Sequence, residues 1–308
     1  MIHFLNLIRW KNLVMIALVQ ILIKYTLLLP FFEGHGVVTT LSPLAFFLLV
    51  LATVCIAAGG YVINDIYDVE ADKINKPNKV IVNTYISEKV ALQLFITLNI
   101  VGVGIGFYLS NGIGKSGYFV IFFIASALLY IYSSYLKQIL LVGNIIVSLI
   151  VALSILLVGI FELLPVINDS NRVVQTFFFR IILDYAIFAF MINFIRELVK
   201  DIEDIDGDHK VGMQTLPIVL GRERTNKIVF VLSLIPLFSV IYYVIANLFK
   251  QQLLVGYFLV FVIAPLIYVT IKLFSAEHKS HYKHMSSILK LVMLTGMFSM
   301  LLYNYVLK

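Results

Sequence analysis

The chain has 308 residues, 61% of them hydrophobic, and a mean hydropathy of +1.00; a soluble domain is about 45–50% apolar, so this is an integral membrane protein. The net charge of +6 and pI near 9.2 fit basic loops facing anionic lipid, with no nucleic-acid partner. The single cysteine, Cys55, lies inside an apolar run, which leaves no disulfide framework and no cysteine metal site.

Arg9-Trp10-Lys11-Asn12 precedes the first apolar run, about residues 12–31. It reads as a signal-anchor span, too long for a signal-peptide core and with no small-residue cleavage site after it. Since a span needs about 20 apolar residues, further spans are expected near 41–63, 89–110, 117–136, 139–163, 176–200, 227–248, 253–274 and 286–306. Nine spans in one polytopic domain, 1–308, make an all-α membrane protein. Turn chemistry marks breaks at Glu33-Gly34-His35-Gly36, Asn111-Gly112, Asn168-Asp169-Ser170-Asn171 and Gly207. With the N-terminus inside, most of the 23 Lys and Arg fall on inner segments, which predicts a cytoplasmic N-terminus in a multi-pass cell-membrane protein. Arg180 and Asp184 are spaced to pair on a helix. His278, His281 and His284, three apart, read as a solvated loop rather than a metal site.

Two acidic stretches interrupt this pattern. In Asn64-Asp65-Ile66-Tyr67-Asp68-Val69-Glu70-Ala71-Asp72, the residues Asp65, Asp68 and Asp72 stand at i, i+3 and i+7, and on a helix they share one face with Asn64. Asp201, Asp204 and Asp208 repeat the spacing. Two charges about 5 Å apart at an effective dielectric of about 20 repel by roughly 3 kcal/mol, so two such clusters require cations. One stretch alone is as readily a solvated acidic face. Two with matched spacing, each following an even-numbered span and so facing the cytoplasm together, suit Mg²⁺, which takes one or two carboxylates plus substrate phosphates. The candidate metal ligands are therefore Asn64, Asp65, Asp68, Asp72, Asp201, Asp204 and Asp208. Lys137, closing the fourth span, is placed either to pair with a phosphate or to snorkel at the interface.

These residues resemble the UbiA-type intramembrane prenyltransferase family. The resemblance rests on Asn64, Asp65, Asp68 and Asp72 with Asn75-Lys76-Pro77-Asn78-Lys79 after them, and on Asp204, Asp208 and Gly212. Tyr132-Ser133-Ser134-Tyr135-Leu136-Lys137 with Asn144, and Arg9 to Asn12 with Trp10 where a proline is common, extend it over nearly the whole chain. Within the family, the stretch from Arg196 to Pro217 is most similar to that of digeranylgeranylglyceryl phosphate synthases.

The resemblance implies nine spans around a central cavity under a cytoplasmic cap of two Asp-rich loops. It implies Mg²⁺-dependent transfer from a polyprenyl diphosphate, geranylgeranyl diphosphate by preference, to a lipophilic acceptor, geranylgeranylglyceryl phosphate by preference, within membrane lipid. Asp68, Asp204 and Lys137 are the expected catalytic residues. Arg9, Asn12, Asn64, Lys79, Tyr132, Lys137, Asn144 and Lys200 are expected to bind substrate. Tyr61, Tyr130 or Tyr132 would face the allylic cation, and Glu203 or Glu197 would take the proton. The alternatives are an aromatic quinone precursor as acceptor or, in another class, a membrane transporter.

Overall fold

The computed structural model describes residues 2–31 and 36–303. A short helix α1, Ile2–Leu7, lies ahead of the bundle. Among the described residues, nine helices are long and apolar enough to cross a membrane. They are α2 (Trp10–Phe31), α3 (Pro43–Tyr67), α5 (Glu88–Gly112), α6 (Ser116–Ser134), α7 (Val142–Val166), α8 (Arg172–Lys210), α10 (Arg222–Leu248), α11 (Gln252–Phe274) and α12 (Lys279–Leu302). Two short helices, α4 (Val69–Asn75) and α9 (Leu216–Leu220), sit between spans. No strand occurs among the described residues, only one bridge between Val82 and Ile86. The expected break at Glu33–Gly36 and the end of the last expected span fall largely outside the described residues.

Local chemistry sets the boundaries. Pro43 occupies the first turn of α3 and the Ser42 hydroxyl accepts from the Ala45 amide; Ser87 caps α5 through the Val90 amide. Gly212, at φ +78°, lets the chain leave α8. The largest departure from expectation is α8 itself. Its 39 residues span roughly 58 Å at about 1.5 Å per residue, against a hydrocarbon core of about 30 Å. Its C-terminal part therefore stands beyond the membrane, and the second acidic stretch is helical throughout rather than a loop.

Small residues let the helices approach closely. A Cβ on Gly102 would lie 3.0 Å from the Ala52 carbonyl of α3, and one on Gly106 would strike the Phe122 ring. Cys55 is buried with its thiol free and packs within α3. Between α2, α3 and α7, the Gln20 amide donates to Thr53 Oγ1 and to the Ser154 carbonyl. Lys24 is buried, with Nζ 2.7 Å from Glu162 Oε1 and a further bond to the Leu41 carbonyl. Arg180 is exposed and makes no ion pair with Asp184, contrary to the spacing argument; Asp184 turns inward to a small apolar cavity.

Candidate active site

The first acidic stretch turns on Asp68. Its backbone, φ −92° and ψ 0°, ends α3 and begins α4. Helical bonding still runs through it, from the Asp68 amide to the Asn64 carbonyl and from the Asp72 amide to the Asp68 carbonyl. Asp65, Asp68 and Asp72 thus keep one face despite the bend, and all three line a cavity of about 910 Å³. Asp201, Asp204 and Asp208 line the same cavity from α8. The expected cap of two loops is instead the end of α3, the short helix α4 and the overhanging end of α8. The reason is that carboxylates spaced +3 and +4 need not break a helix when most of them find a cation or an amide.

The two stretches are locked together by Asn75 and Gly207. The Asn75 side chain donates to the Asp204 carbonyl at 2.8 Å and accepts from the Gly207 amide at 2.9 Å, and it reaches Asp208 Oδ1 at 3.4 Å. A Cβ on Gly207 would lie 2.5 Å from the Ala71 carbonyl. Gly207 is therefore a contact point inside a helix, not the turn its residue type suggested.

All of these acids but Asp72 have a hydrogen-bonded or ion-paired partner. Arg9 Nη2 is 2.8 Å from Asp65 Oδ1, and the guanidinium lies over the Tyr61 ring at 5.0 Å. Arg9 is held there by a left-handed backbone, φ 50°, at the start of α2, a conformation costing about 1–2 kcal/mol in a non-glycine residue. Asp68 accepts from Asn64 and from Lys137. Lys137 is 8% exposed and is paired with Asp68 at the cavity wall. Its turn presses on Gly143, where a Cβ would lie 2.7 Å from the Lys137 Cα. Asn144 donates to Asp201 at 2.8 Å, and Lys76 pairs with Asp204 Oδ2.

Other expected residues divide. Asn12, Lys79, Tyr61, Tyr132 and Lys200 line the cavity. Lys200 is tied to Glu197, which also holds Arg196 at 2.7 Å. Tyr130 does not line it; its ring packs on Phe95 and Tyr67. Glu203 does not line it either, while Glu197 does, already held by two cations. Sequence reasoning overlooked Lys76 as an acid partner and Lys290, which donates to Asn12 Oδ1. The position of Lys76 just before Pro77, which forces a non-helical backbone there, was the available signal. Lys290 carries none, since it sits far along the chain in an apolar helix.

Among the described residues, no group of three acidic, His or Cys side chains gathers tightly enough to hold an ion unaided. A divalent ion nevertheless fits. Asp204 Oδ1 is buried without a hydrogen-bond partner. Burial pushes the Asp72 carboxyl up, with Asp68 and Asp65 adding to the effect against Lys76. Hard oxygen donors carrying uncompensated charge from two sides suit Mg²⁺ completed by phosphate oxygens. Deeper in, the walls turn apolar, with Ile56, Ile121, Phe122, Leu129, Leu153 and Leu157.

Six carboxylates gathered over an apolar floor inside a bundle of membrane-spanning helices form a cavity with one charged and one apolar end. Residues 26–305 match the UbiA prenyltransferase family, and the chain belongs to that family. A digeranylgeranylglyceryl phosphate synthase of Sulfolobus acidocaldarius is 39% identical over 196 residues, 63% of this chain and 64% of the relative's length. One from Sulfurisphaera tokodaii is 35% identical over 235 residues, 73% of this chain and 79% of the relative. A solved UbiA homologue from Archaeoglobus fulgidus, bound to DMAPP and Mg²⁺, shares the fold with TM-score 0.55 at 18% identity, covering 97% of this chain and 98% of that one.

Proposed function

We propose that this protein transfers a prenyl group, geranylgeranyl by preference, from its diphosphate to the hydroxyl of geranylgeranylglyceryl phosphate, in the cell membrane with the acidic end facing the cytoplasm. The observation that carries the reading is the convergence of both acidic stretches over one cavity with an apolar interior. The names of the two archaeal relatives support the choice of donor and acceptor.

Asp65, Asp68, Asp72, Asp201, Asp204 and Asp208 are the residues that would hold Mg²⁺, which when bound supplies Lewis-acid neutralisation of the leaving diphosphate. The chain's own residues do the rest. Asn64 and Lys137 fix the Asp68 carboxylate, and Lys76 and Asn75 fix Asp204 on the facing helix. Arg9 and Lys137 place positive charge beside the departing diphosphate. The rings of Tyr61 and Tyr132 offer cation–π attraction of about 0.5–2 kcal/mol to the allylic carbon as its bond to oxygen breaks. The apolar walls exclude water, which would otherwise capture that carbon in place of the acceptor. Charge gathered at one end of the bundle favours this reading over a transporter, whose site sits near the midplane in broken helices.

The test is incubation of the purified protein with labelled geranylgeranyl diphosphate, Mg²⁺ and a panel of geranylgeranylglyceryl phosphate, a naphthoate and 4-hydroxybenzoate. Transfer to the first, abolished by EDTA and restored by Mg²⁺, is expected. Preferred transfer to an aromatic acid replaces the acceptor assignment, and full turnover in chelator removes the metal.

A further inference from the structure

Charge is not distributed evenly around the large cavity. The α3, α4 and lower α8 walls carry the acids. The wall made by α2, α12 and the preceding turns of α8 carries Lys11, Lys290, Arg196 and Lys200, with Glu197 as its one acid. Lys290 is half-buried and its side-chain partner is neutral, Asn12. The other charged side chains on its wall are the cations Arg196, Lys11 and Lys200 and the carboxylate Glu197. Arg196 lies eight residues before Asp204, roughly 12 Å along the helix axis at about 1.5 Å per residue. Its one bond is to Glu197, and its Nε is buried without a partner. Three half-buried cations and the exposed Lys11, with one carboxylate among them, repel each other, and a cluster of this kind is stabilised by a doubly charged anion.

The helices that carry these cations also carry an apolar slot. One turn deeper than Asn12 on α2 are Met15 and Ile16, and one turn deeper than Lys290 on α12 is Met293. They line a second cavity of about 110 Å³ with Ile155, Phe188 and Val292. Ile16, Val151 and Ser154 line both cavities, so the slot leads off the large one. A cationic patch above an apolar slot has the shape of a site for a lipid with an anionic head.

We infer that Lys290, Arg196 and Lys11 form a second anion subsite, separate from the carboxylate site, that takes the phosphomonoester head of the acceptor lipid while the start of its tail enters the slot between α2, α8 and α12. The inference deepens the proposed function and rests on it for the word acceptor. The anion preference itself stands on the charge and geometry of this wall. It also distinguishes the acceptor class: a neutral or weakly acidic aromatic ring does not require four cations.

The binding test needs neither metal nor turnover. Trp10, the chain's single tryptophan, lines the cavity beside Lys11, so its fluorescence reports on this wall. In EDTA, an alkylglyceryl phosphate should quench or enhance Trp10 emission with at least about tenfold higher affinity than the same alkylglycerol without phosphate, the worth of one charge-assisted hydrogen bond. Inorganic phosphate should compete only weakly, because it lacks the tail. Lys290→Gln should weaken alkylglyceryl phosphate by at least about fivefold on the same scale. The same variant should leave alkylglycerol binding, and binding of prenyl diphosphate with Mg²⁺, within about twofold. Lys11→Gln, at the exposed mouth, gives the same pattern without disturbing packing. Equal affinity for the two lipids overturns the subsite, and inorganic phosphate binding as tightly as the lipid overturns its assignment to a lipid head. Parallel loss of prenyl diphosphate binding in Lys290→Gln assigns these cations to the donor instead. A protein that shows the phosphate preference but transfers no prenyl group would refute the proposed function and leave the subsite standing.

Discussion

Asp68 and Asp204 face each other across the cavity, one held by Asn64 and Lys137 and the other by Lys76. Glu70 and Asp206, two residues further along, are exposed, and Glu70 is paired only with Lys73. The contrast turns charge into position. Asp68→Asn and Asp204→Asn should each lower turnover by at least about 10²-fold, roughly 2.7 kcal/mol of transition-state stabilisation, while Glu70→Gln and Asp206→Asn should cost under about tenfold. Steady-state rates at saturating Mg²⁺ check this. Each swap removes one charge at nearly constant volume, so equal losses at all four positions would mean that bulk potential matters rather than placed ligands.

At the scale of elements, the contact between α4 and α8 brings the two stretches together, and Gly207 is its closest point. Because a Cβ there meets the Ala71 backbone carbonyl, which cannot turn away, as well as the Asn75 side chain that bonds the two stretches, Gly207→Ala should push α4 outward. Overpacking of this kind costs about 1–3 kcal/mol; a lower midpoint of thermal unfolding is expected, with turnover down at least about tenfold. Full activity in Gly207→Ala would mean that the two motifs need not be held at this distance. The Lys24–Glu162 pair fastens α2 to α7 and to the segment at Leu41. Leaving either charge buried alone should cost about 3–5 kcal/mol. Lys24→Met and Glu162→Gln should therefore each destabilise more alone than together, since Gln can still accept from the Leu41 amide. Denaturant unfolding in detergent measures all three variants, and simple additivity would contradict the pairing.

Across the molecule, the acidic stretches lie at the ends of the second and sixth of the nine apolar helices among the described residues, so they must emerge on the same side to share a cavity. In a Cys55→Ala background, cysteines at the exposed positions of Lys73 and His209 should be labelled by an impermeant thiol reagent from one face of the membrane, and a cysteine at Lys115 from the other. Charge asymmetry predicts that the first face is the cytoplasmic one. Opposite labelling of the Lys73 and His209 positions would dismantle the site.

Hydropathy alone located the nine apolar helices found among the described residues, most of them within a few residues and α8 and α12 less closely, because each span must satisfy its own backbone and stay apolar whatever its neighbours are. The acids were legible for a similar reason: a helical face is a property of local spacing, and Asp65, Asp68 and Asp72 keep that face even through the bend at Asp68. Tertiary structure decided what spacing cannot carry. Gly207 has the composition of a turn and the role of a packing contact, because only the arrival of α4 shows what its missing side chain makes room for. Arg180 and Asp184 have the spacing of a pair, yet one faces outward and the other a cavity. Lys290 and Asn12, nearly the full chain apart, meet because α12 packs beside α2. Contacts between distant segments depend on which helices the bundle makes neighbours, and no local pattern encodes that.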